Sequence, residues 1–251
     1  MSRPGSLLTA LCLCCACQKP LDARLQAGDS AALAGKWPGA RDAWAEAAKL
    51  DPSSAPAQAK WGVALWQLGE RGLAAEAWAR AASLDPALDV ALEGLARLDL
   101  EAGDAGAAAS RLEAVASPAG SLRLALAQAL LARGAPGDAS AALAHAQAFV
   151  LTAPTDADGL YLVGCAQVAL RRFGDAQGTL DDLQRQHPTL PLGSYGLARL
   201  AAAQGRQTDV LLNLAAAKSR AGSSWKPARV AADPAFAFIA STQEFMTLVG
   251  K

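Results

Sequence analysis

Residues 44–52 read WAEAAKLDP and residues 78–86 read WARAASLDP, nearly the same nine-residue phrase set 34 positions apart. In both, a Trp is followed by Ala at helical spacing, Trp44 by Ala47 and Trp78 by Ala81, before the run closes on Leu-Asp-Pro. Spacings of three and four place these residues on one face of a helix. Pro52 and Pro86 disfavour helical geometry in the residue before them, so Asp51 and Asp85 mark helix ends. The same interval separates Gly28 from Gly62 and Gly35 from Gly69.

Working outward, a third copy carries Leu95, Gly103, Ala108 and Leu112 at the matching places, and its Pro118 comes early, so the link to the next copy is three residues short. A fourth has Leu126, Ala127, Gly134, Ala139, Leu143 and Ala146, and a fifth has Val163, Gly164, Phe173, Ala176, Leu180 and Pro188. A sixth has Leu197, Ala198, Gly205, Val210, Leu214 and Ala217. The copies run over 21–54, 55–88, 89–119, 120–156, 157–190 and 191–218. Gly62, Gly164, Ala74, Ala108, Ala139 and Ala176 are small where two helices must cross closely, since a larger group would overpack the seam. Trp61, Leu95, Leu126 and Val163 supply the bulk between neighbours. Gly35, Gly69, Gly103 and Gly134 end the first helix of their copies in left-handed geometry.

The pattern resembles the tetratricopeptide repeat, a helix–turn–helix unit of 34 residues. The second copy carries the resemblance most fully, in Trp61-Gly62, Leu65, Gly69, Ala74, Trp78, Ala81 and Pro86. It implies an all-α fold, a right-handed α-α superhelix or solenoid of about six such units, followed by short capping helices. Residues 219–251 form a linker and that cap. There, Asp233-Pro234 and Ser241 with Glu244 read as helix starts. Phe236, Phe238, Ile239, Phe245 and Leu248 are expected to cover the last apolar seam.

Composition agrees with a helical chain. Hydrophobic residues are 52% but aromatics only 5%, so Ala and Leu, both helix formers, dominate the apolar count. Lys plus Arg and Asp plus Glu are 23 each, and this balance argues against a nucleic-acid binder, which needs a basic face.

Residues 1–17 read as a leader. Arg3 precedes an uncharged run from Leu7 to Ala16, too short to span a bilayer but suited to a signal peptide. Four of the five cysteines, Cys12, Cys14, Cys15 and Cys17, fall inside it, which does not suit a disulfide framework. Leu13-Cys14-Cys15-Ala16-Cys17 resembles a bacterial lipobox, with Ala16 before the acylated cysteine and Cys14 departing from the usual Leu. That resemblance implies cleavage before Cys17, lipidation of Cys17, and an outer-membrane lipoprotein facing the periplasm. An ordinary secretory leader with a periplasmic address, or a hydrophobic anchor left uncut, is the alternative.

No cofactor, metal or catalytic motif emerges. His145 and His187 read as solvated surface residues with no metal-ligand spacing around them. Ser223-Ser224-Trp225-Lys226 holds a Ser three residues before a Lys without the companion motifs of Ser-Lys enzymes. Cys165, alone among apolar neighbours, reads as a small buried hydrophobe. The expectation is therefore a non-enzymatic scaffold that binds a protein or peptide segment. A soluble adaptor, and a hydrolase with an unfamiliar site, are the alternatives.

The resemblance also implies where that segment lies, because the fifth, ninth and twelfth residues of each unit face the inner wall. This assigns Glu93, Leu124, Tyr161 and Tyr195 at fifth places, Val63, Arg97, Gln128, Cys165 and Arg199 at ninth places, and Trp66 at a twelfth. Lys60 and Gln67 flank them. Trp66, Tyr161 and Tyr195 are the large anchors, since aromatics and Arg often dominate binding energy. Places where relatives that grip a terminal carboxylate carry Lys and Asn here hold Ala59 and Val63, or Glu93 and Arg97. That ligand is therefore not implied.

Overall fold

The computed structural model describes residues 7–250 apart from Ala116 and Ala119, with side chains from Pro20 onward. Among the described residues there is no strand. The chain divides into two units at Ala116/Ser117, beside the early Pro118.

The first unit holds α1 (Leu7–Leu33), α2 (Trp37–Leu50), α3 (Ala55–Gln67), α4 (Arg71–Leu84), α5 (Asp89–Glu101) and α6 (Ala105–Glu113). Each helix packs on the next, through α5 on α6. The short turn inside each pair is closed by a glycine in left-handed geometry: Gly35 at φ +69°, Gly69 at +83° and Gly103 at +84°. Backbone amides just beyond these turns bond back to the last carbonyls of the first helix, as Glu70 N–H does to Leu65 O at 2.9 Å.

The seam between copies is a wedge. Trp78, 3% exposed, stands between Gly62 on α3 and Gly94 on α5. A Cβ would come within 2.7 Å of the indole at Gly62 and 2.3 Å at Gly94, so both places exclude any side chain. The Trp78 indole N–H donates to Ala59 O at 3.1 Å, which satisfies its polar edge inside the seam. Trp44 fills the corresponding place one copy earlier, against Gly28, and donates to Leu25 O and Asp29 Oδ1.

The second unit holds α7 (Ser121–Arg133), α8 (Asp138–Val150), α9 (Ala157–Ala169), α10 (Phe173–Gln186), α11 (Leu192–Ala203) and α12 (Gln207–Ala221). Here the wedge is aliphatic: Leu180 sits between Gly164 on α9 and Gly196 on α11, with hypothetical Cβ contacts of 2.6 and 2.4 Å. The turn between α7 and α8 is held by a buried ion pair. Arg133 forks onto Asp138 at 2.9 and 2.8 Å, and Ala135 N–H adds a third bond. The α9–α10 turn departs from the glycine rule, with Arg171 at φ +59°. Ala139 is only half-buried because α8 begins beside it; Ala142, one turn later, is fully buried.

After α12 come a 3₁₀ turn (Gly222–Ser224), α13 (Pro227–Ala231), a 3₁₀ segment (Pro234–Ile239) and α14 (Gln243–Leu248). Val230, Phe236, Ile239, Phe245 and Val249 pack onto Val210 and Leu214 of α12. Phe238 points outward, 50% exposed, because Phe236 and Ile239, three apart, take the inner face of the segment. The cap of α14 is Thr242 rather than Ser241: its Oγ1 accepts from Phe245 N–H at 3.3 Å, so the helix begins one residue later than the Ser241–Glu244 spacing suggests. Asp233 caps the 3₁₀ segment by accepting from Ala235 N–H.

The side chain of Cys17, like the other side chains of the leader, lies outside what the structure describes. Among the described residues no helix is long and apolar enough to cross a membrane.

This packing makes stability testable at single positions. Gly94→Ala drives a methyl into Trp78 and should destabilise the first unit by about 1–3 kcal/mol. Gly178→Ala, inside α10 with open space around it, should stabilise by about 0.5–1 kcal/mol, so thermal melts of the two variants should move in opposite directions. The bonds from Arg133 hold the Asp138 carboxyl below its usual 3.8, against burial that raises it. A lowered pKa contributes stability above the unfolded value that is lost as pH falls through the folded one. Asp138→Asn should therefore lower the melting point at neutral pH, by the equivalent of about 1–3 kcal/mol, with the gap to wild type closing in acid below that range.

Candidate partner-binding wall

In the first unit, α3 and α5 lie beside each other, and their facing side chains meet above the Trp78 wedge. Val63, Trp66 and Gln67 come from α3, Val90, Glu93, Gly94 and Arg97 from α5, and Trp78 forms the base. They enclose a cavity of about 150 Å³. Val63, Trp66, Gln67, Glu93 and Arg97 are thus brought together. Val90, Gly94 and Trp78 were not anticipated there. For Gly94 the signal was available, a glycine one place after a wall-facing residue; for Val90 none was.

Two guanidinium groups, those of Arg71 and Arg97, lie over the Trp66 ring, each 4.7 Å from its centroid. Arg71 pairs with Glu101 at 2.9 Å and donates to Trp66 O at 2.5 Å, so its position is fixed from two sides. Arg97 pairs with Glu93, one turn back on its own helix, at 3.1 Å. Among the described residues the buried Trp66 indole nitrogen has no hydrogen-bond partner. A buried donor without an acceptor is costly, by about 1–3 kcal/mol. Lys60 does not join this group: its ammonium pairs with Asp29 at 2.5 Å and lies 5.6 Å from the centroid of the Trp44 ring. A more open hollow of about 320 Å³ lies between Pro20, Arg24, Glu46, Lys49 and Leu50, with Arg24 and Glu46 paired across it.

In the second unit the predicted residues are differently placed. Leu124 is half-buried and Gln128 exposed on α7. Cys165 is buried, so it presents no side chain to a partner. Burial pushes its thiol up, more than the neighbouring Arg199 charge lowers it, which keeps it protonated and unreactive. Burial likewise raises the Tyr161 hydroxyl, although the residue as a whole is half-buried. Tyr195 and Arg199 are occupied by the chain itself. The Tyr195 hydroxyl and Arg199 Nη1 both donate to Asp233 Oδ2, at 2.7 and 2.5 Å. Burial works against the Arg199 charge, and the Asp233 carboxylate paired with it favours that charge.

The histidines are less solvated than the sequence suggests. His187 is half-buried and its Nε2 contacts Thr155 O at 2.7 Å, while burial lowers the pKa of His145. Among the described residues no group of three or more His, Cys, Asp or Glu is placed to hold a metal ion.

No family model and no curated protein matches the chain. Solved structures do resemble it. PilW, a widely conserved type IV pilus biogenesis factor, is similar with a TM-score of 0.64 at 14% identity, over 91% of this chain and 98% of that one. TTC0263, a thermophilic TPR protein of Thermus thermophilus, gives 0.56 at 22% identity, over 67% and 92%. YrrB, a TPR protein with an unusual peptide-binding site, gives 0.52 at 17% identity, over 72% and 93%. The 34-residue phrasing, the paired helices and these likenesses together identify the fold as that of a tetratricopeptide-repeat protein.

Proposed function

We propose that this protein is a non-catalytic, lipid-anchored scaffold of the bacterial cell envelope, which binds a protein segment on the α3–α5 face around Trp66. The observation that carries the reading is the cavity of about 150 Å³ in which Val63, Trp66 and Gln67 of α3 meet Val90, Glu93 and Arg97 of α5. Val90, 43% exposed, adds apolar surface at its edge. An apolar hollow with a few oriented polar groups is what a docked side chain and its backbone require. Partner binding on a TPR fold has a parallel in YrrB, described by its peptide-binding site. The anchor rests on the Leu13–Cys17 stretch, and a role in assembling an envelope complex on that leader together with the fold shared with PilW, a pilus biogenesis factor.

A photo-crosslinker placed at Gln67 should capture in cells a protein that the same group at Arg80, exposed on α4 and away from the cavity, does not. Trp66→Ala with Arg97→Glu should abolish that product, since losing a buried aromatic anchor weakens binding by about 2 kcal/mol or more. Equal capture from both sites, or capture that survives the double change, would overturn the assignment. Cys17→Ala should shift the protein from the membrane to the soluble fraction. A variant that still sediments with membranes refutes the lipid anchor.

A further inference from the structure

The C-terminal segment shows, within the molecule, what the inner face of a first helix takes. Asp233 and Phe236 are three residues apart and both lie against α11. The carboxylate takes the Arg199 guanidinium and the Tyr195 hydroxyl, and Phe236 meets the Tyr195 ring edge-on, 5.7 Å between centroids at 88°. Arg199 is the ninth residue of its copy. Arg97 is the ninth residue of the third copy, on the same face of its helix, and it too stands against an aromatic ring, that of Trp66.

The two places differ in their acceptors. Arg199 has Asp233 from another segment, whereas Arg97 has Glu93 from its own helix, and Trp66 N–H has none. An exposed pair one helical turn apart is weak. A carboxylate arriving from outside gains a charge-assisted bond to Arg97 and competes with that exposed pair. Beside these donors, the cavity bounded by Val63, Val90 and Trp78 has the volume of apolar cavities of about 150 Å³ that admit benzene.

We infer that the Trp66–Arg97 face binds a partner segment in which an acidic residue is followed, three positions later, by an aromatic one. This deepens the proposed scaffold function and rests on it. The chain's own Asp233 and Phe236 are not that segment, because Phe236 is 1% exposed and locked in the cap.

The probe is a fluorescein-labelled peptide of residues 232–239, ADPAFAFI, titrated into the purified full chain and followed by anisotropy. Saturable binding is expected, weakened about tenfold by Arg97→Ala and by Asp233→Asn in the peptide, since each removes a bond to a charged group. Phe236→Ala in the peptide should weaken it comparably, and Glu93→Gln, which frees Arg97, should tighten it severalfold. Both protein changes are on the surface, and helical melts will report whether the fold is kept. Undiminished affinity in Arg97→Ala, equal binding of the Asn peptide, or no saturation at millimolar peptide overturns the inference. If the peptide fails while capture from Gln67 persists, only this ligand preference falls; if capture is also lost, the scaffold reading falls with it.

Discussion

Two of the seams between copies depend on one large side chain lodged where its neighbours have no side chain at all. Trp78 lies against Gly62 and Gly94, and Leu180 against Gly164 and Gly196. Because a Cβ at any of these glycines would fall inside normal contact distance, helix approach is set by backbone against ring or isopropyl group. Apolar burial then scales with close approach, and packing at interior density leaves no room to slide. The Trp44 seam is the variant: Lys60 occupies the place that Gly94 and Gly196 hold, and its ammonium lies near the Trp44 ring rather than leaving it bare. One seam is therefore partly electrostatic, while those at Trp78 and Leu180 are steric.

The wall residues inherit their positions from this seam. Trp78 sets the spacing of α3 and α5, and that spacing brings Trp66 and Arg97 to stacking distance. A guanidinium over an indole is favourable by about 0.5–1 kcal/mol where exposed. Two of them lie over the Trp66 ring and favour the orientation it adopts.

The repeat was legible because it is written in residues with no substitute: glycine where φ is positive or a ring intrudes, proline where a helix must stop. Arg171 was invisible to that logic, since a left-handed non-glycine leaves no mark in the sequence. The wall around Trp66 was legible by counting within the copy. Its counterpart at Tyr195 and Arg199 was misleading, because counting says which face a residue is on and not whether a segment 34 residues later returns to cover it. Nor could the choice between Ser241 and Thr242 as cap be settled by spacing, as both precede the same helix and only the hydroxyl geometry chooses.

The closed end beyond α12 bears on how such an array changes length over evolutionary time. Phe236, Ile239 and Phe245 seal the face of the last pair, and Asp233 neutralises the buried cation beneath it. A tandem duplication placed after α12 would have to evict that seal and strand Arg199. A duplication inserted between internal copies meets another wedge-and-glycine seam and is accommodated. On these contacts an added pair fits between internal copies more readily than after the last one.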